Sequence, residues 1–184
     1  MSGWTDCRQR RDLTSCDCHT FRVEDPICAE GPVVLLRGGD DLRRQLLLRD
    51  PVYTSGEGIH RRYGDESVRC VAEVRDRGLE ARVTLRTWRD DGLAQFLRGL
   101  SDHFAGWAGS RHWQSANEQI QIEATHDGRG HVTLLIRLRD WSYRPEGWDV
   151  GVPFAVEAGA EMSSLADAVE AFFAAASFHS DVDD

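Results

Sequence analysis

Few residues in this chain have the types and spacing that chemistry requires. His126 and His131 bracket the turn Asp127-Gly128-Arg129-Gly130 and invite a metal pair. A zinc ion needs further ligands, and strands entering and leaving that turn send the two imidazoles to opposite faces, so both read as structural. Cys7, Cys16, Cys18 and Cys28 fall with His19 in the first 28 residues. Structural zinc sites present paired ligands in two halves, whereas Cys16-Asp17-Cys18-His19 is one tight cluster with two scattered thiols. We therefore read residues 1–28 as a poorly ordered cysteine-containing extension and assign no metal. The Arg-Asp steps at Arg49-Asp50, Arg75-Asp76, Arg89-Asp90 and Arg139-Asp140 look like acid–base dyads, but an Asp that opens a turn or caps a helix explains them better. Gly-x-Ser-x-Gly, the phosphate loop, the dinucleotide fingerprint and His-Glu-x-x-His do not occur. No catalytic residue and no cofactor follow from the sequence.

The residue types that favour recognition are gathered in two segments. One is Gly106-Trp107-Ala108-Gly109-Ser110-Arg111-His112-Trp113, and the other runs from Asp140 through Trp141, Tyr143 and Arg144 to Trp148. Trp, Tyr and Arg dominate binding hot spots. Their positioning depends on the elements between them. Ile120, Ile122 and Ala124 alternate with Gln121, Glu123 and Thr125, and Leu134, Ile136 and Leu138 alternate with Thr133, Arg137 and Arg139, as in a half-buried hairpin. Asp first and Gly last in its loop suit a type I turn with a bulge, which pairs Ala124 with Leu134, Ile122 with Ile136 and Ile120 with Leu138. Residues 118 and 140 then share one end of the sheet, and the two aromatic segments are expected to meet there. Trp107 and Trp148 also fit the core stripes of their elements. For Trp113, Trp141, Tyr143 and Arg144, with Arg111 and His112 beside them, plugging the core and docking a partner both stay open. We take these six as the candidate partner-binding residues.

Other elements complete the frame. Val33-Leu36 and Gln45-Leu48 read as short strands around Gly38-Gly39-Asp40-Asp41, followed by a loop over 50–65. Val68, Cys70, Ala72 and Val74 alternate with polar residues, as do Leu79, Ala81, Val83 and Leu85. The loop Arg75-Asp76-Arg77-Gly78 is expected to pair Val74 with Leu79 and Ala72 with Ala81, both rows on one face. Trp148, Val150, Val152, Phe154 and Val156 form another strand, which Pro153 confines to an edge or a bulge. Two helices follow from three-four spacing: Leu93, Phe96, Leu97, Leu100, Phe104 and Trp107 after a cap at Asp90 or Asp91, then Met162, Leu165, Ala166, Val169, Phe172, Phe173 and Ala176.

The expected fold is α+β, an antiparallel meander of about six or seven strands with two amphipathic helices packed on one face, in the order β-β-β-β-α-β-β-β-α. The hairpin-then-helix order occurs twice and hints at a duplicated unit. One domain over 29–178 with an acidic tail over 179–184 suits a chain of 184 residues. A composition of 41% hydrophobic and 29% charged residues supports a folded, soluble protein. No apolar run approaches the roughly 20 residues of a membrane span, and the first residues lack a secretory apolar segment, so the cytoplasm is the expected location.

A net charge of −9 disfavours general nucleic-acid binding and would welcome a basic protein partner. All 22 basic residues are arginine. Arg69, Arg82, Arg86, Arg137 and Arg139 are expected on the polar sheet face, where a basic stripe could serve RNA, although Glu73, Glu80 and Glu123 intersperse it. Oligomeric state does not follow from the sequence.

The stretch Asp91-Gly92-Leu93 through Trp107, then Trp113, then Thr125-His126-Asp127-Gly128-Arg129-Gly130-His131-Val132, then Trp148 and the closing helix, resembles an actinobacterial family of a domain of unknown function. The resemblance spans residues 33–177 and brings no catalytic residues. More distantly, the strands-helix-strands-helix order is similar to the WapI-type immunity proteins, which neutralise a secreted toxin by binding it. The resulting expectation is a non-enzymatic binding module of immunity or regulatory type. The rivals are an enzyme of unrecognised class using His112, His103 or the acidic groups near the two aromatic segments, and an RNA binder using the arginines.

Overall fold

Period-two alternation makes each strand apolar on one side, and in this protein the strands collect into two antiparallel sheets around one core. The structure, a computed structural model, describes residues 31–38, 41–55, 66–88, 92–140 and 147–178. The Cys-containing extension and the acidic tail lie outside them. The described elements are β1 (Val33–Gly38), β2 (Asp41–Ser55), β3 (Glu66–Asp76), β4 (Leu79–Trp88), α1 (Leu93–Asp102), β5 (Ser110–Gln114), β6 (Ile120–His126), β7 (His131–Arg139), β8 (Asp149–Glu157), α2 (Ala160–Ala174) and β9 (Ser177–Phe178). The N-terminal sheet is the meander β1-β2-β3-β4, with β9 pairing β2 in parallel, and the C-terminal sheet is the meander β5-β6-β7-β8.

The α+β class and the order of strands and helices agree with expectation, but the single meander does not. Its continuation is blocked chemically. The Gln119 amide Nε2 donates to the Thr84 carbonyl at 3.0 Å and its Oε1 accepts from Arg86 N–H at 3.1 Å, while Asn117 donates to the Arg86 carbonyl at 3.5 Å. Two side chains thus take the ladder bonds that a fifth strand would have made on the edge of β4. On the other side β1 lies beside β8. There Arg44 of β2 donates to the Pro153 carbonyl of β8 at 3.0 Å.

The apolar rows behave as expected. Leu97, Ile122, Ile136 and Phe172 share one buried cluster with Val34, Leu48, Cys70, Ala72 and Leu85, so both sheets and both helices feed one core. Ala124 opposes Leu134, Ile122 opposes Ile136 and Ile120 opposes Leu138. β8 is an edge strand, as its proline requires. Phe154 is fully buried, and truncating it to Ala would cost about 3–5 kcal/mol.

Four local expectations need correction. The first hairpin turns on Arg77-Gly78 alone, with Gly78 at φ 70°, so Asp76 opposes Leu79, Val74 opposes Ala81 and Ala72 opposes Val83. The slip is two residues, an even number, so the faces survive. β2 does not stop at residue 49 but runs to Ser55 through a bulge at Asp50-Pro51, where Asp50 takes a φ of 56° and the ladder resumes at Val52 opposite Arg69. The first helix ends at Asp102 rather than near Trp107, leaving Phe104 63% exposed, and it begins after a left-handed Gly92 with no side-chain cap. Asp90 and Asp91 lie outside the described residues. Finally, Ser110–Gln114 is a strand and not a loop, so each half of the chain is four strands followed by a helix.

α2 is capped from outside its own first turn. Glu157 accepts from Gly159 N–H at 2.9 Å and Glu161 N–H at 3.1 Å, and Glu161 in return accepts from Glu157 N–H at 2.8 Å. The N–H groups of Glu161 and then Gly159, donating to it, hold the Glu157 carboxyl below the usual carboxylate range. Arg98 of α1 reaches Asp167 at 2.8 Å and also Glu170, tying the two helices at the surface.

Candidate functional site

β5 runs antiparallel to β6, which sets where the predicted site residues go. Ser110 opposes Thr125, His112 opposes Glu123, Trp113 opposes Ile122 and Gln114 opposes Gln121. The segment 106–113 therefore does not gather at the end of the sheet shared by residues 118 and 140. Trp107 sits at the opposite end, edge-on to His126 with ring centroids 5.1 Å apart, and only Trp113 and Gln114 approach the expected end. Trp141, Tyr143 and Arg144 lie outside the described residues. Trp148 is 36% exposed, and its carbonyl accepts from Asp140 N–H at 3.0 Å.

Arg111 and Trp113 share the core-facing side of β5. The Arg111 guanidinium stands 4.6 Å over the Trp107 ring and donates to the Gly99 carbonyl at 3.1 Å, which fastens β5 to the end of α1. Trp113 packs half-buried against the core. His112 projects to the open side with Ser110 and Gln114.

Beside these residues lies a depression of about 280 Å³ whose lining includes Trp113 and Ile122 together with His112, Gln114, Gln121, Glu123, Leu135 and Arg137. Gln121 donates to Gln114 at 3.4 Å across its floor. Arg137 is held only loosely, 3.8 Å from Asp149, because that carboxylate takes Arg139 at 2.7 Å. Opposite Arg137 stands Gly151, whose lack of a side chain keeps this flank low. The wall thus offers a carboxylate, a guanidinium, an imidazole and two amides beside one Leu, a set suited to meeting polar side chains.

His112 Nε2 lies 2.8 Å from Ser110 Oγ, the pairing a nucleophile and base would need. A working dyad also needs its imidazole oriented by a third group. Among the described residues the His112 Nδ1 has no such partner, and both residues are exposed. His126 is tied on both nitrogens: Nδ1 accepts from Gly128 N–H at 2.8 Å, so Nε2 donates to the Phe104 carbonyl at 3.1 Å. Gly106 passes this ring with φ 114°, where a Cβ would stand 3.1 Å from Nδ1. His131 instead faces Asp127 at 3.5 Å. His103 Nδ1 is 2.7 Å from the Gly99 carbonyl at the end of α1. Cys70 is 1% exposed in the core, as its alternation implied.

The arginines do not form one stripe. Arg69, Arg82 and Arg86 stand on the outer face of the N-terminal sheet, Arg137 and Arg139 on that of the C-terminal sheet. On the first, Glu73 is 3% exposed although it points outward. Its carboxylate is covered by Arg75 at 2.6 Å, Arg82 at 3.3 Å and Arg49 at 3.4 Å. Alternation in the sequence marks these faces but not this clustering, which depends on cross-strand register. β5 was missed because its one large apolar residue, Trp113, gives no alternation to read.

Two antiparallel meanders, two helices and an open polar depression beside an edge strand define an α+β protein. The chain belongs to a family of unknown function, DUF6228, whose model matches residues 54–176. No curated protein and no solved structure matches it. No helix among the described residues is long and apolar enough to cross a membrane.

Proposed function

We propose that the chain is a non-enzymatic protein-binding module of the immunity or regulatory type, engaging its partner along β5 and the adjoining depression. The observation that carries this reading is the state of the sheet edges. β4 is sealed by Gln119 and Asn117, and β1 and β8 lie against each other, whereas β5 has no backbone partner on its outer side among the described residues. An edge strand of this kind accepts an extended segment by main-chain hydrogen bonds, and the neighbouring depression reads its side chains. Glu123 in that depression and the overall charge of −9 favour a basic partner. The repeated four-strands-then-helix order supports the likeness to WapI-type immunity proteins, and Cys70 as a buried thiol suits the cytoplasm.

Affinity purification from the native host tests this. One stoichiometric protein partner is expected, with its complex weakened about tenfold or more by Glu123→Arg, since a like charge would then face the basic partner. RNA in place of protein, or a complex indifferent to both Glu123→Arg and His112→Ala, would overturn the reading.

A further inference from the structure

The outer face of the N-terminal sheet carries a second feature, independent of the β5 site. Register places its residues in four rows. Arg37, Gln45, Arg75 and Glu80 form the first, Leu35, Leu47, Glu73 and Arg82 the second, Val33, Arg49, Val71 and Thr84 the third, and Val52, Arg69 and Arg86 the last. Six arginines thus share one face with Glu73 and Glu80, in a chain whose net charge is −9. Asp50 at the bulge pairs with Arg49.

The last row is the anomaly. Arg69 and Arg86 oppose each other directly across β3 and β4, and both are exposed. Neither guanidinium has a carboxylate within ion-pair reach among the described residues, unlike Arg49, Arg75 and Arg82. Like charges directly opposite on a ladder are unfavourable, so carboxylates brought to this row from outside would relieve it. Between it and the first row lie the half-buried Val33, Leu35, Leu47 and Val71. An aliphatic centre with a guanidinium rim rewards apolar side chains flanked by carboxylates. Recognition of single-stranded nucleic acid would use aromatic rings for base stacking, and the described side chains of this face include none.

We propose that the outer face of the N-terminal sheet is a docking surface for an acidic protein segment that also carries apolar residues, with Arg69 and Arg86 taking its carboxylates. The probe is a labelled decapeptide alternating Glu and Val, titrated at about 50 mM salt, where exposed charges are weakly screened. Binding is expected, weakened about tenfold by the double change Arg69→Ser and Arg86→Ser. Thermal stability should be undiminished in that variant, because among the described residues neither guanidinium has a carboxylate partner to lose. His112→Ala should bind the probe like the unaltered protein, which separates this surface from the β5 reading. Absence of binding would overturn the proposal, as would equal binding by the double variant or by a peptide with Gln in place of Glu. An oligouridylate of equal length binding more tightly than the peptide would assign the surface to nucleic acid instead.

Discussion

Glu73 offers the sharpest measurement, because its two ends differ in solvation. The carboxylate is 4% exposed while Arg49, Arg75 and Arg82 are 27%, 44% and 57% exposed. Replacing it by Gln keeps the volume and removes the charge. The amide can still accept one guanidinium bond, but its own NH₂ then faces donors and finds no acceptor. A charge-assisted bond contributes about 1.5–3 kcal/mol and a buried donor without a partner costs about 1–3, whereas the wet guanidinium ends recover part of their loss by turning to water. We expect Glu73→Gln to destabilise by about 2–3 kcal/mol in urea unfolding, a fall in Tm of about 4–12 °C for a chain of this size. Arg82→Ala removes the most exposed partner and leaves Glu73 with two others, so it should cost about 0.5 kcal/mol. A cost below about 0.5 kcal/mol for Glu73→Gln, or an Arg82→Ala cost equal to it, would refute a buried charge at Glu73 held by its three guanidinium partners.

Arg86→Glu should raise Tm by about 1–4 °C, since it turns the opposed Arg69–Arg86 pair into an attractive one worth about 0.5–1 kcal/mol; a lower Tm by scanning calorimetry would refute it. Gln119→Ala removes two bonds from the edge of β4 and should cost about 1–2 kcal/mol while exposing that edge to pairing; sedimentation should show new concentration-dependent dimers, and their absence together with an unchanged Tm would refute the role of Gln119 in sealing that edge. Backbone N–H donors hold three carboxyls below their ordinary range: His131 and Arg129 act on Asp127, Glu161 and Gly159 on Glu157, and Arg77 on the half-buried Asp76. A lowered folded-state value contributes stability above the unfolded pKa and loses it as pH falls through the folded one, so Tm should drop below about pH 4. Asp127→Asn should shrink that drop, and an acid limb identical to the unaltered protein's would contradict the assignment.

Much of the fold was legible because alternation and three-four spacing are local. The rows Ile120-Ile122-Ala124 and Leu134-Ile136-Leu138 fix their own pairing through the Asp127–Gly130 turn, and Pro153 declares an edge strand. What escaped reading depends on groups far apart in the chain. No local pattern announces that Gln119 will take the place of a strand beside β4, and so split one sheet into two. Nor does any pattern in Ser110–Gln114 announce β5, since that strand is held by β6 and by Arg111 against Trp107 and Gly99. The end of α1 was misplaced because Phe104 and Trp107 continue the helical spacing, while the chain has already turned at His103 to deliver Gly106 past the His126 ring.

The first hairpin shows why a face can be read when a site cannot. The expected turn would have set Glu73 opposite Glu80 and Arg69 opposite Thr84, an unremarked mixed surface. The observed slip of two residues sets Glu73 opposite Arg82 and Arg69 opposite Arg86. Both registers bury Val68, Cys70, Ala72 and Val74 alike, so the core is indifferent between them, and the hydrophobic term cannot select one. What distinguishes them is the two-residue Arg77-Gly78 turn and the ion pairs of Glu73. The charges that favour this register over its neighbour therefore also leave Arg69 and Arg86 facing each other, and the surface proposed for an acidic partner follows from the same slip.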